Sequence, residues 1–387
     1  MKLTCAGGLI TGRGWMGIAL GASAVAVALT GCSEPAPAPV ETPYLISLNE
    51  AGKLGMQVAW QSAMGVTQGG RITQVYPFDD LLVTIEDGAN VLSAVRASDG
   101  VPQWDLPIGD SLERTLGVMR SGDTLYVATQ SETHFVDSVS GRVVHQESLG
   151  TGNVASTGPL LLGSYFVYGT ENGRIVYHNL GTGMAQDSYR LDSAVARAPQ
   201  EAGGGMLVQT ISGKLHFFDP AINSRIWVNQ PLDPFESRPA VSDRSVFVAG
   251  ADQSVWCFRL ADGRQMWRAR FDAPLRDDPT FNDGVVYQSV PGTGLVAIDA
   301  ANGSVLWKNP EITGGTVVTT NRGNLIVWDQ ADAPARRGGT FYRVDRGDGR
   351  TIGKASSDLI WLVTADRPIE GNIYALSKPG LVTKLIP

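Results

Sequence analysis

The chain has 387 residues, with 31 Lys and Arg against 38 Asp and Glu, a formal net charge of −7. An acidic chain without a basic run has no electrostatic footprint for nucleic acid. A chain of this length usually divides into domains unless it is built from repeats.

Lys2 and Arg13 are the only charges ahead of an uncharged run, MGIALGASAVAVAL, at residues 16–29. Fourteen residues rise only about 21 Å as a helix, short of the roughly 20 residues that span a bilayer. The pattern is that of a signal-peptide apolar region. It ends in Leu29-Thr30-Gly31-Cys32, which resembles the lipobox of bacterial lipoproteins. The resemblance implies cleavage after residue 31 and acylation of Cys32, and two or more acyl chains give stable anchoring. Residues 1–31 are therefore expected to be a signal peptide, and 32–54 an acylated cysteine with a Pro/Ala-rich tether. Alternating proline from Ser33 to Pro43 holds such a tether extended, with a reach of roughly 35 Å. Ser33, not Asp, follows Cys32, and by analogy with Gram-negative lipoproteins this points to the outer membrane, facing the periplasm. Loss of Lys2 and Arg13 takes the net charge to −9. With Cys32 committed to lipid, Cys257 stands alone and no disulfide framework is possible.

From about residue 55 the chain repeats. The clearest copy runs from Ala297 through Asp299 and Gly303 to Trp307, an A-x-D-x3-G-x3-W frame. It recurs at Ala94–Gly100–Trp104 and Cys257–Gly263–Trp267, with Arg96 and Arg259 in the aspartate place, and at Asp219–Asn223–Trp227. Weaker copies keep Gly141, Gly183 and Gly349 but carry His145, Asp187 and Gly353 where the tryptophan belongs. Positions 100, 141, 183, 223, 263, 303 and 349 step by 41, 42, 40, 40, 40 and 46 residues. Such a period means a propeller or a solenoid. Alternating runs such as Ser245–Val248 and Thr124–Val127, separated by Gly, Asn and Asp, are hairpin signatures and exclude helical solenoids. Glycine, at 46 residues, is about 12% of the chain against a usual ~7%, as turn-dense β structure requires.

These residues resemble the PQQ-like repeat family of β-propellers over about residues 55–380. The absence of any Gly-His dipeptide sets the chain apart from the WD-repeat alternative. The resemblance implies that Trp104, Trp227, Trp267 and Trp307 dock between neighbouring blades, and Trp60 is assigned the same place in the last one. Gly371–Leu376 is expected to be the third strand of an eighth blade, completed by an outer strand at residues 56–60. The expected fold is thus all-β: an eight-bladed propeller at residues 55–387, closed by pairing of the N- and C-terminal strands.

Chemistry is harder to find. His134, His145, His178 and His216 are scattered without metal-ligand spacing. His134 and His216 share a repeat position, which favours a structural role. The longer quinoproteins of this fold carry a vicinal cysteine pair and a calcium loop, and neither is visible here, so no cofactor is expected. Two loops break the repeat: residues 330–339 with Arg336 and Arg337, and residues 231–238 with Phe235. Loops on a rigid scaffold are where binding usually resides, so Phe235, Arg336 and Arg337 are the candidate contacts for a protein partner. The overall plan is similar to that of the propeller lipoproteins of outer-membrane protein assembly. It implies a non-catalytic envelope scaffold held to the membrane by its lipid alone, with a funnel enzyme or ligand sensor, including a quinoprotein, as the alternative.

Overall fold

In the computed structural model, the described residues are 44–387 except 110–112, 150–153, 220–223, 231–232 and 331–337. Cys32, the expected signal peptide and the Pro/Ala-rich segment lie outside them, as do Asn223, Arg336 and Arg337. The described residues form one short helix and eight four-stranded antiparallel sheets. Blades 1 to 7 occupy residues 72–107, 117–148, 160–190, 200–229, 240–270, 280–309 and 315–357. In each, strand order follows chain order. Blade 8 combines Ile360–Ala365, Ile373–Ser377 and Leu381–Ile386 with Gln57–Ala63 as its outermost strand. The first strand of blade 8 touches those of both blade 7 and blade 1, which closes the ring with the first strands innermost.

Burial along a strand follows its place in the blade. Leu81–Glu86, a second strand, is buried at every position, because neighbouring blades cover both of its faces. Gln265–Arg270, a fourth strand, is largely exposed and buries only Trp267. The alternation legible in the outer strands therefore gives way to continuous burial further in.

The repeat frame is the hairpin between third and fourth strands. Asp299 Oδ1 accepts from the Ala301 amide at 2.7 Å, and Asp345 Oδ1 accepts from Gly347 at 2.8 Å. Where arginine holds that place, an aspartate three residues on takes over the turn. Asp262 Oδ1 accepts from the Arg264 amide at 3.1 Å while Arg259 Nε donates to it at 2.8 Å. Asp99 and Arg96 repeat the arrangement.

Each frame tryptophan lies flat on the frame glycine of the next blade. A Cβ on Gly141 would come within 2.4 Å of Trp104, and one on Gly349 within 2.4 Å of Trp307. Both glycines also have positive φ, so the position excludes a side chain twice over. The indole nitrogens donate to backbone carbonyls across the seam: Trp60 to Ala97 at 3.1 Å, Trp104 to Ser138 at 3.0 Å, Trp227 to Leu260 at 2.7 Å, Trp267 to Ala300 at 2.9 Å and Trp307 to Arg346 at 2.9 Å. Trp60, Trp227, Trp267 and Trp307 are buried and Trp104 half-buried, and each satisfies its one donor.

Two seams without the tryptophan are built differently. Between blades 2 and 3, Glu147 lies against Gly183 and places its carboxylate 3.1 Å from His145 Nε2 and 2.7 Å from His178 Nε2. Between blades 7 and 8, the helix Leu48–Lys53 fills the gap. A Cβ on Gly353 would sit 2.1 Å from Lys53 O, so the glycine in the tryptophan's place admits the helix backbone. Leu45, Ile46, Leu54 and Met56 join a core with Phe341 of blade 7 and Leu385 of blade 8. Ser47 caps this helix by accepting from the Glu50 amide.

These contacts correct two sequence expectations. The tether was drawn through residue 54, yet residues 45–54 pack into the propeller, because the seam left open by Gly353 needs apolar filling. Ile373–Ser377 is the second strand of blade 8, not the third, and the N-terminal strand pairs with Leu381–Ile386. The next frame glycine, about forty residues past Gly349, would fall beyond Pro387. Gly380 lies in the hairpin between second and third strands.

Candidate functional site

The blades present two kinds of loop. Frame hairpins edge one face of the ring, and the connections from each outer strand to the next inner strand edge the other. Among the described residues no group of three or more His, Cys, Asp or Glu is placed to hold a metal ion. No helix among them is long and apolar enough to cross a membrane.

The buried histidines sit on third strands. His134, His178 and His216 are 4%, 1% and 1% exposed. Burial lowers the His134 pKa, against the pull of Glu132 and Glu113. Burial likewise takes His216 down to about 4, opposed by Asp192, whose Oδ1 lies 3.5 Å from Nε2. Cys257 is free and buried, and desolvation raises its thiol to about 11, which leaves it protonated and unreactive at neutral pH.

A groove of about 670 Å³ runs between the outer parts of blades 4 and 5, past Gln230, Gln253, Trp256, Arg268 and Arg270. Asp252 organises its wall. It accepts from Trp256 Nε1 at 3.1 Å and from Arg268 at 2.8 Å, and the Arg268 guanidinium lies 4.4 Å from the centre of the Trp256 ring. Trp256 occupies the repeat place of His216, forty residues earlier, and the sequence reading passed over it.

Phe235 lies beneath this groove. Its expected role as an exposed aromatic anchor is corrected by its burial, at 4% exposed. The ring packs 6.1 Å from that of Phe258, and its backbone abuts Gly213, where a Cβ would meet Phe235 N at 2.4 Å. Ala155, Val195, Phe235 and Leu275 step by forty residues and are all buried, so Phe235 fills a repeated core position.

A family model described as outer membrane protein assembly factor BamB matches residues 211–372. BamB of Bordetella pertussis is 26% identical over 192 residues, covering 48% of this chain and 48% of that protein. The quinohemoprotein alcohol dehydrogenase ADH IIB of Pseudomonas putida is 26% identical over 179 residues, 45% of this chain but 22% of that enzyme. These matches thus span about half the length of the BamB relative and less of the dehydrogenase. Among solved structures, BamB of Moraxella catarrhalis superposes with a TM-score of 0.64 at 19% identity, covering 81% of this chain and 94% of that one. The chain is thus an eight-bladed β-propeller with a forty-residue repeat, similar to BamB in sequence over about half its length and in fold over most of it.

Proposed function

We propose that the chain is a non-catalytic envelope scaffold, anchored through an acylated Cys32, that binds protein partners in outer-membrane protein assembly. The similarity to several BamB proteins in sequence, together with the shared propeller, carries this reading. The seams support it physically. Tryptophans, a carboxylate–histidine pair and a helix fix the blades relative to one another, so the loops on the rim are held in place for recognition. Arg336 and Arg337, in an insertion on an acidic chain, remain the proposed contacts.

Two experiments test the reading. Cys32→Ala is expected to move the protein from the membrane fraction to the soluble fraction, or to leave it unprocessed. Fatty-acid labelling of the variant equal to wild type would remove the anchor. For the partner, affinity purification from solubilised membranes is expected to recover envelope proteins with wild type. The Arg336→Ala/Arg337→Ala variant should lose them while keeping its melting temperature. An identical partner set would place the contact elsewhere on the ring, and a stoichiometric chromophore in the purified protein would favour the quinoprotein alternative.

A further inference from the structure

Four successive connections between blades, from blade 1 to blade 5, converge on a cavity of about 310 Å³ beside the inner strands. They bring Arg114, Arg197 and Arg238 to its wall, with Gln74, Ser156 and Thr157 between them. Among the described residues no Asp or Glu lines it, although the chain as a whole has more carboxylates than cations.

The carboxylates nearest in sequence are engaged elsewhere. Glu113, next to Arg114, accepts from Thr129 Oγ1 at 2.6 Å and from the Ser131 amide at 2.8 Å. Glu236, two residues before Arg238, lies 3.6 Å from Arg276. Asp278 accepts from the Arg238 backbone amide at 2.6 Å and approaches Arg197 only to 3.9 Å. Arg197 is positioned by donating to Glu236 O at 2.9 Å. No ion pair forms at the Arg114 or Arg238 guanidinium among the described residues. Three guanidinium groups at one concave wall, two of them without a counter-ion among the described residues, raise the local positive potential and offer planar forks of donors to oxygen pairs.

We propose that this cavity binds a small oxyanion carrying two or more negative charges, a phosphate compound or a polycarboxylate. The cavity volume suits a free small molecule; Ser156 Oγ donates to Val195 O at 3.3 Å, while Thr157 Oγ1, accepting from the Gly169 amide at 3.1 Å, keeps its proton as a neutral donor beside the cations. Arg114 and Arg238 supply the charge, and Arg197, already held at one nitrogen, orients the anion. This site is independent of the scaffold reading, since it faces the ring axis and needs no protein partner.

The test is isothermal titration of the purified protein with pyrophosphate and, separately, with citrate, at ionic strength held constant with sodium chloride. Saturable binding of one of them to wild type is expected, with the phosphate and carboxylate arms showing which oxyanion fits. Arg114→Gln/Arg238→Gln should weaken it about tenfold or more, given that charge-assisted bonds are lost. The melting temperature without ligand should be unchanged. Arg142→Gln, on a frame hairpin at the opposite face, should bind as wild type does. Absence of saturable binding of both anions would overturn the proposal. Equal affinity in the double variant, or equal loss in Arg142→Gln, would overturn it as well, by showing only non-specific attraction.

Discussion

Trp60→Ala is expected to cost about 3–5 kcal/mol of folding stability, the range for truncating a large buried ring. Trp60 is 8% exposed and lies where the two ends of the chain meet. Its ring covers Gly100 of blade 1, with a close approach of 2.6 Å to the position a Cβ would take. Its indole nitrogen and Lys384 Nζ both donate to Ala97 O, at 3.1 and 2.7 Å. The substitution therefore opens a cavity and leaves Ala97 O with one donor, and it does so on the one blade whose third and fourth strands are not joined by a hairpin. Deletion of residues 44–63 should do more, because it uncovers the edge of Leu381–Ile386 and unplugs the core between blades 7 and 8. We expect that variant to aggregate or to lose cooperative unfolding. Urea titration followed by tryptophan fluorescence reads the first effect, and sedimentation reads the second. A deletion variant as soluble and stable as wild type would show that the N-terminal strand does not close the ring.

Much of this arrangement was legible because repetition turns weak signals into strong ones. One Gly and one Trp four residues apart mean little, but the same pair recurring every forty residues marks the hairpin and the docking ring together. What repeats do not cover was harder to read. Gly353 breaks the frame, and on a closed ring a missing tryptophan demands another filler. The short run Leu45–Met56 supplies it as a helix, with no counterpart elsewhere in the chain to identify it. The eighth blade was misnumbered for a related reason. Its frame hairpin is replaced by the chain ends, so no frame glycine is present there to number its strands. Phe235 shows the opposite error. Attention to the loop's prolines hid a forty-residue series of core residues, Ala155, Val195, Phe235 and Leu275, that the spacing already contained. The cation-lined cavity was harder still to read, since Arg114, Arg197 and Arg238 lie on separate connections between blades and the repeat frame alone does not show that these connections share a wall.

Acidification should destabilise the propeller before its carboxylates titrate, and His216 should account for a large part of the effect. The imidazole is 1% exposed, stacked on Phe218 with ring centres 6.3 Å apart. Burial takes its pKa down to about 4, with Arg225 and Lys214 adding to the shift and Asp192 opposing it. In the unfolded chain the same group titrates near 6.5. Between these values the unfolded state binds a proton that the folded state refuses, so stability falls as the pH drops through that window. A shift of this size corresponds to about 3 kcal/mol, present in full above pH 6.5 and lost by about pH 4. His134, lowered for the same reason, adds to the slope in the same direction. Asp192 acts in a different window. Its own pKa is held down by Lys214, so its contribution is present above the ordinary carboxylate range and disappears only at lower pH. His216→Phe should keep the ring's volume and remove its titration. The expected result is a wild-type midpoint in urea that falls steadily from pH 6.5 to 4, and a His216→Phe midpoint that falls by markedly less. Parallel curves for the two proteins would place the proton uptake on another group, and a steeper curve for the variant would reverse the sign of the argument.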